Sequence, residues 1–118
     1  MNRHPADSLF VTAAGREWEP AGAGVRRKVL GYDDRIMMVR VEFEKDAIGS
    51  LHSHPHRQVT YIVAGSFEVR IGEETRDLGS GDSFFVPPDI PHGVVAHEQG
   101  CLVDVFTPAR QEFVGKTQ

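Results

Sequence analysis

Short apolar runs separated by turn residues are the feature that most constrains the fold of this 118-residue chain. From residue 25 onward, runs of four to nine residues, rich in β-branched and aromatic side chains, alternate with glycine, proline and other turn residues. This spacing is typical of an all-β sandwich or barrel. The predicted strands cover residues 25–32, 36–44, 58–63, 67–71, 75–78, 83–86, 93–96 and 101–107.

Turn residues and composition together predict one domain. Residues 64–66 and 72–73 have the composition of hairpin turns, residues 79–82 form a further turn, and Pro87-Pro88 ends a strand because proline cannot donate to a ladder. We find no internal repeat and no shift in composition. We therefore expect a single β domain over residues 25–118, preceded by an extension over residues 1–24 that packs on it through Trp18. Residues 108–114 are predicted to form a short helical turn.

Charge and cysteine content restrict the partners and the compartment. The chain has 13 Lys and Arg against 17 Asp and Glu, a net charge of −4, and no basic block that could follow a phosphate backbone, so no nucleic acid partner is expected. No apolar stretch approaches the roughly 18 residues of a membrane helix, and residues 1–7 contain no hydrophobic signal segment. The single cysteine, Cys101, is interpreted as an apolar core residue, and we expect a cytoplasmic location.

One predicted strand is apolar on both faces. Val59, Tyr61 and Val63 alternate with Thr60 and Ile62. A strand of this kind is covered on both sides, by the interior on one face and by a second layer or a second subunit on the other. We therefore expect a homodimer.

Three of the six histidines are grouped at positions 52, 54 and 56, and Gln58 follows. In an extended chain residues two apart project to one face, so His52 and His54 can direct two imidazoles at one point. Gln58 can add an amide oxygen, and His92 is a distant further ligand. Packing these polar groups in a strand-rich domain is costly unless a cation or hydrogen bonds satisfy them, which favours a metal site. His56 is interpreted as a supporting or rim residue, and His4 and His97 as surface or hydrogen-bonded residues.

The spacing of these residues resembles the two motifs of the cupin family. His52, His54, Gln58 and Gly65 match the first motif, and Gly81, Pro87 and His92 match the second, with fifteen residues between the two glycines. The resemblance implies a jelly-roll β-barrel with one divalent metal ion, held by His52, His54, Gln58 and His92. Most cupins have glutamate at position 58 and glycine at position 89, where this chain has Gln58 and Asp89.

The substitution of Gln58 for glutamate leaves a neutral ligand set of three imidazoles and one amide. Such a site keeps the full positive charge of its ion and should favour a small anionic substrate. A nitrogen-rich set of this kind suits nickel, zinc, iron(II) or copper, and the ligands alone leave the choice open.

Residues 24–113 resemble more specifically the KdgF-type cupins, which linearise unsaturated monouronates in pectin degradation. The matching stretches are 24–32, 37–43, 52–56, 104–106 and 108–110, and Arg57 departs from the usual glutamate. The resemblance implies an active site that contains Asp104, Phe106 and Arg110. It also implies a metal-dependent conversion of 4,5-unsaturated uronates, which pectin or alginate lyases release, into linear 5-keto-4-deoxyuronate.

The residues of the last predicted strand are compatible with this role. Asp104 interrupts an apolar run, and a carboxylate in such surroundings needs a partner or a function. Leu102, Asp104 and Phe106 share one face, which we assign to the barrel interior. A structural ion pair of Asp104 with Arg26, Arg27 or Arg40 is the alternative, and Arg110 could equally be a solvated residue.

Two other functions are compatible with the same sequence. A metal-dependent cupin could instead be an oxygenase or a sugar isomerase, although Gln58 cannot act as the base that glutamate supplies in many oxygenases. A non-catalytic cupin that binds a small molecule is the second alternative, because fold alone does not determine activity.

Overall fold

The computed structural model describes residues 9–114, and it is built almost entirely of β-strands. The strands are β1 Glu19–Pro20, β2 Val25–Tyr32, β3 Met37–Phe43, β4 Ile48–His52, β5 Arg57–Ala64, β6 Ser66–Ile71, β7 Glu74–Gly79, β8 Ser83–Val86, β9 His92–Ala96 and β10 Gly100–Thr107. Two single turns of 3-10 helix, Ala13–Gly15 and Gln111–Phe113, lie near the two ends.

The strands form two antiparallel sheets that face each other as a jelly roll. The large sheet has the order β1-β2-β3-β10-β5-β8, and the small sheet has the order β4-β9-β6-β7. Strands that are far apart in sequence become neighbours, as when β10 lies between β3 and β5. This crossing brings the carboxyl-terminal part of the chain to the middle of the large sheet, directly beside β5.

Alternation of side chains explains why these segments form half-buried strands. In β3, Met37, Val39, Val41 and Phe43 point inward and are buried, and the residues between them point outward. Period-two patterning of this kind puts one apolar face on the core and leaves the other facing outward. Burying each of these side chains contributes roughly 1.5–3 kcal/mol, so the inner row of β3 is a major part of the core.

The core lies between the two sheets. Phe43 of the large sheet meets Phe67 of the small sheet edge to face, with ring centroids 5.2 Å apart. The prediction of a hairpin turn at residues 64–66 is wrong, because β5 belongs to the large sheet and β6 to the small sheet, and the turn carries the chain from one sheet to the other. This connection depends on Gly65, which has a φ of +90°, and a side chain there would lie 2.8 Å from the backbone of Gln99. Only glycine fits such a position without moving the chain.

The eight predicted strands are all present, with ends that differ by a few residues, and the short helical turn is found at Gln111–Phe113. The sequence analysis missed β1 and β4. Strand β1 has two residues, one of which is a proline. Strand β4 contains a glycine and a serine, and its Ile48 and Leu51 side chains are exposed, so it lacks the alternating apolar pattern by which strands are recognised.

The outer face of β5 departs from the expected covering by a second layer. Thr60 and Ile62 are buried, whereas Val59, Tyr61 and Val63 are 49%, 50% and 38% exposed. No element within residues 9–114 covers this face, so the expectation of a second layer from the same chain is wrong for the described part of the protein. The homodimer stays a prediction.

The described part of the extension, residues 9–24, reaches the outer side of β2. The indole of Trp18 lies 4.0 Å from the Arg26 guanidinium and 4.5 Å from the Lys28 ammonium group, and Lys28 Nζ donates to the Ala13 carbonyl at 2.9 Å. Trp18 is thus in contact with β2 of the large sheet. Residues 1–8, which include His4, lie outside the described residues, and the division at residue 24 stays a prediction.

Within residues 9–114, no helix has the length and apolar character needed to cross a bilayer.

Candidate functional site

Three histidines converge at one end of the barrel. His52 is the last residue of β4, His92 is the first residue of β9, and the two are paired across the small sheet. Ring centroids are 4.4 Å apart for His52 and His92, 4.8 Å for His54 and His92, and 5.4 Å for His52 and His54. One ring nitrogen from each lies within 4.8 Å of the others, so the three imidazoles could hold a metal ion.

The route by which His54 reaches this cluster differs from the sequence argument. His54 lies beyond the end of β4, in the bend that leads to β5, and does not share a strand face with His52. Strand pairing thus ends before His54, yet the two rings meet at one point, as the period-two argument predicts. The proline that follows, Pro55, lies in the same bend and turns the chain towards the large sheet.

Backbone carbonyls fix the tautomer of all three rings. The Nδ1 atoms of His52, His54 and His92 lie 2.8, 3.1 and 2.9 Å from the carbonyl oxygens of Ser50, His56 and Ile90. A carbonyl oxygen can only accept, so each Nδ1 carries the proton and each Nε2 presents a lone pair. Metal-binding histidines in proteins are held by the same kind of hydrogen bond from the other ring nitrogen.

Burial keeps two of these imidazoles neutral. Desolvation lowers the pKa of His92 to about 4, and its Nε2 is buried with no hydrogen-bond partner among the described residues. Desolvation also lowers the pKa of His54, and the positive charge of Arg110 adds to this effect. A buried, unprotonated and unpartnered ring nitrogen is costly unless a cation occupies the site, so the cluster fits a divalent ion.

Gln58 turns its amide oxygen towards the histidine cluster. The amide nitrogen donates to Thr60 Oγ1 at 2.9 Å and to Asp104 Oδ1 at 3.3 Å, which fixes the orientation of the side chain. Its oxygen then lies 3.0 Å from Nε2 of His54. Because His54 carries its proton on Nδ1, two acceptors face each other at this point, and a cation bound by both would satisfy them.

Asp104 lies directly opposite Thr60 in the pairing of β10 with β5, and it borders the cavity. The Thr60 hydroxyl donates to Asp104 Oδ1 at 2.5 Å. Burial raises the pKa of Asp104 to about 6, although the Thr60 hydrogen bond and the charge of Arg110 act in the opposite direction. The carboxyl group can therefore exchange a proton near neutral pH.

The alternative of a structural ion pair for Asp104 is not what the structure contains. Arg26 and Arg40 both contact the Glu42 carboxylate on the outer face, and Arg27 pairs with Glu19. Among residues 9–114, no Lys, Arg or His nitrogen lies within ion-pair distance of Asp104. Its partners are neutral hydrogen-bond donors, Thr60 and Gln58.

Arg110 and Phe106 complete the wall of the cavity next to the histidines. Phe106 is 2% exposed and meets the His54 ring edge to face, with centroids 5.7 Å apart. The Arg110 guanidinium lies 5.0 Å from the Phe106 ring centroid, and Arg110 Nε donates to Glu112 at 2.7 Å. The side chain of Arg110 is only 11% exposed, so it is held in the cavity wall and is not a freely solvated residue.

The site encloses a cavity of about 300 Å³, of a size that suits one small molecule. The residues predicted from the sequence that line it are His52, Gln58, His92, Asp104, Phe106 and Arg110.

A larger open groove of about 830 Å³ lies elsewhere, between Trp18 and Cys101 on the outside of the large sheet. Its two arginines, Arg26 and Arg40, both pair with Glu42, and Cys101 beside it is a buried thiol whose pKa is raised by desolvation. The smaller cavity is therefore the candidate functional site.

Comparison with known proteins agrees with this geometry. The model of the cupin domain matches residues 39–106. The pectin degradation protein KdgF of Dickeya dadantii (strain 3937) is 46% identical over 99 residues, which cover 82% of this chain and 90% of that protein. This chain is a cupin of the KdgF type.

Solved structures of similar cupins have the same fold. KdgF from Halomonas sp. is 34% identical to this KdgF-type cupin, with a TM-score of 0.85, and the match covers 91% of this chain and 99% of that one. An RmlC-like cupin from Shewanella frigidimarina NCIMB 400 is 42% identical, with a TM-score of 0.87 and coverage of 91% and 96%.

Asp89 explains one departure of this KdgF-type cupin from the usual cupin motif. Its φ is +64°, a left-handed conformation that glycine adopts most readily and aspartate tolerates better than most other residues. The Asp89 amide donates to the His54 carbonyl at 2.8 Å. The loop before His92 is thereby attached to the loop that carries His54, and the substitution preserves the arrangement.

The remaining histidines of this KdgF-type cupin lie outside the cluster. The His56 ring stands edge-on to His54, with centroids 5.4 Å apart, and its carbonyl supports His54 Nδ1. His97 is on the surface, where its Nε2 lies 2.9 Å from Asp77, as the sequence predicts for a hydrogen-bonded surface residue. Arg57 is exposed on the outer side of β5.

Three residues at the site were missed by the sequence analysis. Thr60 was treated as part of an apolar strand, Arg27 as a possible ion-pair partner of Asp104, and Phe113 as part of the terminal turn. Thr60 holds Gln58 and Asp104, and the other two line the cavity. The parity of Thr60 with Gln58 on β5 is the signal that could have identified it.

Proposed function

We propose that this protein is an enzyme that uses one divalent metal ion to convert 4,5-unsaturated uronates, the products of pectin or alginate lyases, into linear 5-keto-4-deoxyuronate. The observation that carries the proposal is that Asp104 and Arg110 line the same cavity as His52 and His92, two members of the three-histidine cluster. The similarity to a pectin degradation protein supports the substrate class.

The proposed ligands are His52, His54 and His92 through Nε2 and Gln58 through its amide oxygen. A divalent ion held by these neutral groups would act as a Lewis acid towards an oxygen that gains negative charge in the reaction. Nickel, zinc, iron(II) and copper all suit the donor set.

The proposed reaction is an isomerisation in which the ring opens. The anomeric hydroxyl loses its proton, the carbonyl of the aldehyde forms at carbon 1, and the bond between carbon 1 and the ring oxygen breaks. The electron pair of that bond goes to the ring oxygen, which gives an enolate at carbons 4 and 5. A proton added at carbon 4 then produces the ketone at carbon 5, so no oxidant or water is consumed.

The chain supplies the groups that this reaction needs. Asp104, held by Thr60 and Gln58, moves one or both of the protons as the general acid or base. Arg110 pairs with the carboxylate of the small anionic sugar, for which its planar guanidinium group is suited. Phe106 forms an apolar wall against the sugar ring.

The test is turnover of unsaturated galacturonate, and of the unsaturated uronate from alginate, by protein whose metal content has been measured. Loss of the unsaturated chromophore and NMR detection of the linear keto acid report the reaction. Wild-type protein should turn over at least one substrate, and Asp104→Asn should lower kcat by about 100-fold or more while its metal content is unchanged. Wild-type rates in both Asp104→Asn and Arg110→Ala would show that the assigned roles are wrong.

The same assays separate the alternative functions. Oxygen uptake with an aromatic or thiol substrate, without turnover of uronates, would indicate an oxygenase, and interconversion of intact sugars would indicate an isomerase of another kind. Tight binding of a small molecule with no turnover would indicate a non-catalytic cupin. The combination of Asp104, Arg110 and the histidine cluster in one cavity favours the uronate reaction over these alternatives.

We also propose that a second copy of the chain packs on the outer face of the large sheet. Met38, Val105, Val59 and Phe85 lie side by side across β3, β10, β5 and β8, and they form one continuous apolar row. Met38, Val59 and Phe85 are 41–49% exposed. A continuous apolar row suits a two-fold interface, in which the same surface of both copies is buried.

The cytoplasmic location of the protein stays a prediction.

A further inference from the structure

Arg27 places a second guanidinium group at the mouth of the cavity. It lies on the inner face of β2, opposite Glu19 of β1, and its Nε donates to Glu19 Oε1 at 2.8 Å. Its side chain is 23% exposed and lines the same cavity as Asp104. The neighbouring Arg26 points to the outer face instead, so only one of the two adjacent arginines can meet a ligand in the cavity.

Arg27 and Arg110 share one aromatic neighbour. The Arg27 guanidinium lies 3.9 Å from the centroid of the Phe113 ring, and the Arg110 guanidinium lies 4.5 Å from it. Phe113 in turn meets Phe106 edge to face, with centroids 6.0 Å apart. We call Arg27 and Arg110 the guanidinium pair.

Both members of the guanidinium pair keep hydrogen-bonding capacity for a ligand. Arg27 uses its Nε with Glu19, and Arg110 uses its Nε with Glu112. Among the described residues, no other hydrogen-bond acceptor contacts either guanidinium group. Each group therefore has its two terminal nitrogens, with four N–H donors, available at the wall of the cavity.

The two arginines lie at different depths. The side chain of Arg27 is 23% exposed, whereas that of Arg110 is 11% exposed and stands over the Phe106 ring. Arg27 is thus the more exposed, outer member of the guanidinium pair.

We infer that Arg27 is a second substrate-binding cation, which donates to oxygen atoms of the bound uronate from the mouth of the cavity and, with Arg110, selects a sugar acid over a neutral sugar. The inference rests on the proposed function for the identity of the substrate. Because the hydrogen bond of Arg27 is to Glu19 and not to Asp104, Gln58 or the three histidines, Arg27 should contribute to binding and not to the chemical step. Its loss should therefore raise KM and leave kcat nearly unchanged.

A purely structural role for Arg27 makes a different prediction. If Arg27 served only to hold β1 through Glu19, then Glu19→Gln and Arg27→Ala would have the same effect, on stability and on KM alike. If Arg27 binds substrate, Glu19→Gln leaves its charge in place and should not raise KM. The two variants therefore separate the two roles.

The experiment compares wild-type protein, Arg27→Ala, Arg27→Lys and Glu19→Gln, all with measured metal content and melting temperature. Arg26→Ala is the matched control, since Arg26 is adjacent on β2 but pairs with Glu42 on the outer face. Kinetics use unsaturated galacturonate. Calorimetric titration with saturated galacturonate and with galactose gives a binding measurement that does not depend on turnover.

The expected result for Arg27→Ala is a KM about tenfold higher, as for the loss of one charge-assisted hydrogen bond, with kcat within about threefold of wild type. The preference for galacturonate over galactose should fall by a similar factor. Arg27→Lys should recover part of the loss, and Arg26→Ala should be unchanged. If Arg27→Ala misfolds, the proposal is tested by Arg27→Lys, whose KM should lie above that of wild type by less than tenfold.

Failure of this inference is distinguishable from failure of the proposed function. Normal turnover by wild type, with unchanged KM and unchanged galacturonate binding in the Arg27 variants, would overturn the inference alone. Absence of uronate turnover, with galacturonate binding that still depends on Arg27, would overturn the proposed function and support Arg27 as an anion-binding residue. Absence of both uronate turnover and galacturonate binding would overturn both.

Discussion

The Thr60 hydroxyl lies between Gln58 and Asp104, and it accepts a hydrogen bond from the first while donating one to the second. A candidate metal ligand and a candidate proton-transfer group are thus held by one side chain, which is fully buried. A hydroxyl group is suited to this position because it can both donate and accept.

Replacing Thr60 with Val should damage both functions of the site while keeping the shape of the side chain. Without the hydroxyl, Gln58 loses an orienting partner and Asp104 loses one of its two hydrogen-bond donors. We expect metal affinity to fall by about 10–100-fold, as for other residues that orient metal ligands, and kcat to fall with it. Competition with a chelator measures the affinity. Thr75→Val, on an exposed strand of the small sheet, is the control, and equal affinities in the two variants would contradict the prediction.

Removal of His92 should abolish metal binding. Wild-type protein should contain close to one divalent ion per chain by elemental analysis, and added metal should raise its melting temperature because only the folded state has the site. His92→Ala should show neither effect. The control is His97→Ala, which removes an exposed histidine, and a metal content of His92→Ala equal to that of this control would show that His92 is not a ligand.

The Glu42 carboxylate should make the protein sensitive to acid. Burial opposes ionisation of Glu42, but hydrogen bonds from Arg26 and Arg40 outweigh this effect and lower its pKa below 4.5. The contribution of ionised Glu42 to the stability of the folded protein is therefore fully present above pH 4.5, and it is lost as the pH falls through the lowered pKa. Because the pair is partly exposed, its contribution should be at most about 1 kcal/mol.

The measurement for Glu42 is the melting temperature of wild type and of Glu42→Gln between pH 7 and pH 3. Wild type should be more stable at pH 7, and the difference should disappear at the acidic end. Glu74→Gln, which removes the fully exposed pair with Arg76, should change stability little at any pH. A difference for Glu42→Gln that grows on acidification would contradict the assignment.

A charge in the middle of the apolar row should separate the proposed dimer. Val59→Glu would place a carboxylate between Val105 and Phe85, where a second copy would have to bury it without a partner. Light scattering after size exclusion should report a dimer for wild type and a monomer for Val59→Glu. The control, Thr75→Glu on the small sheet, should stay dimeric. A monomeric wild-type protein would contradict the proposed dimer.

The strands that alternate apolar and polar residues could be predicted from the sequence, whereas those formed by their surroundings could not. Strand β3 indicates its inner face through Val39 and Val41, which alternate with the polar residues Arg40 and Glu42. Strand β4 exists because it pairs with β9, and its exposed Ile48 and Leu51 carry no sign of this. The alternation of apolar and polar side chains indicates which face of a strand is buried. A strand at the edge of a sheet is held mainly by backbone hydrogen bonds, and these do not require any pattern of side chains.

The same distinction applies to the site. Two features of the site are unusual in the sequence and could therefore be recognised there. They are the close spacing of His52 and His54 and the carboxylate of Asp104 within an apolar strand. Arg27 and Phe113 look like ordinary residues, and they reach the cavity only because β2 and the terminal turn are folded around its mouth. Their roles depend on contacts between distant segments, which a single sequence does not display.

The proposed metal ligands are divided between the two layers of the jelly roll. His52 and His92 belong to the small sheet, Gln58 belongs to the large sheet, and His54 lies on the bend that joins them. One ion bound by all four would crosslink the layers at the open end of the barrel, much as a disulfide crosslinks two strands. Metal loading would then slow amide hydrogen exchange in β4, β5 and β9 together, so that this end of the domain becomes rigid at the same time as it becomes competent to bind substrate.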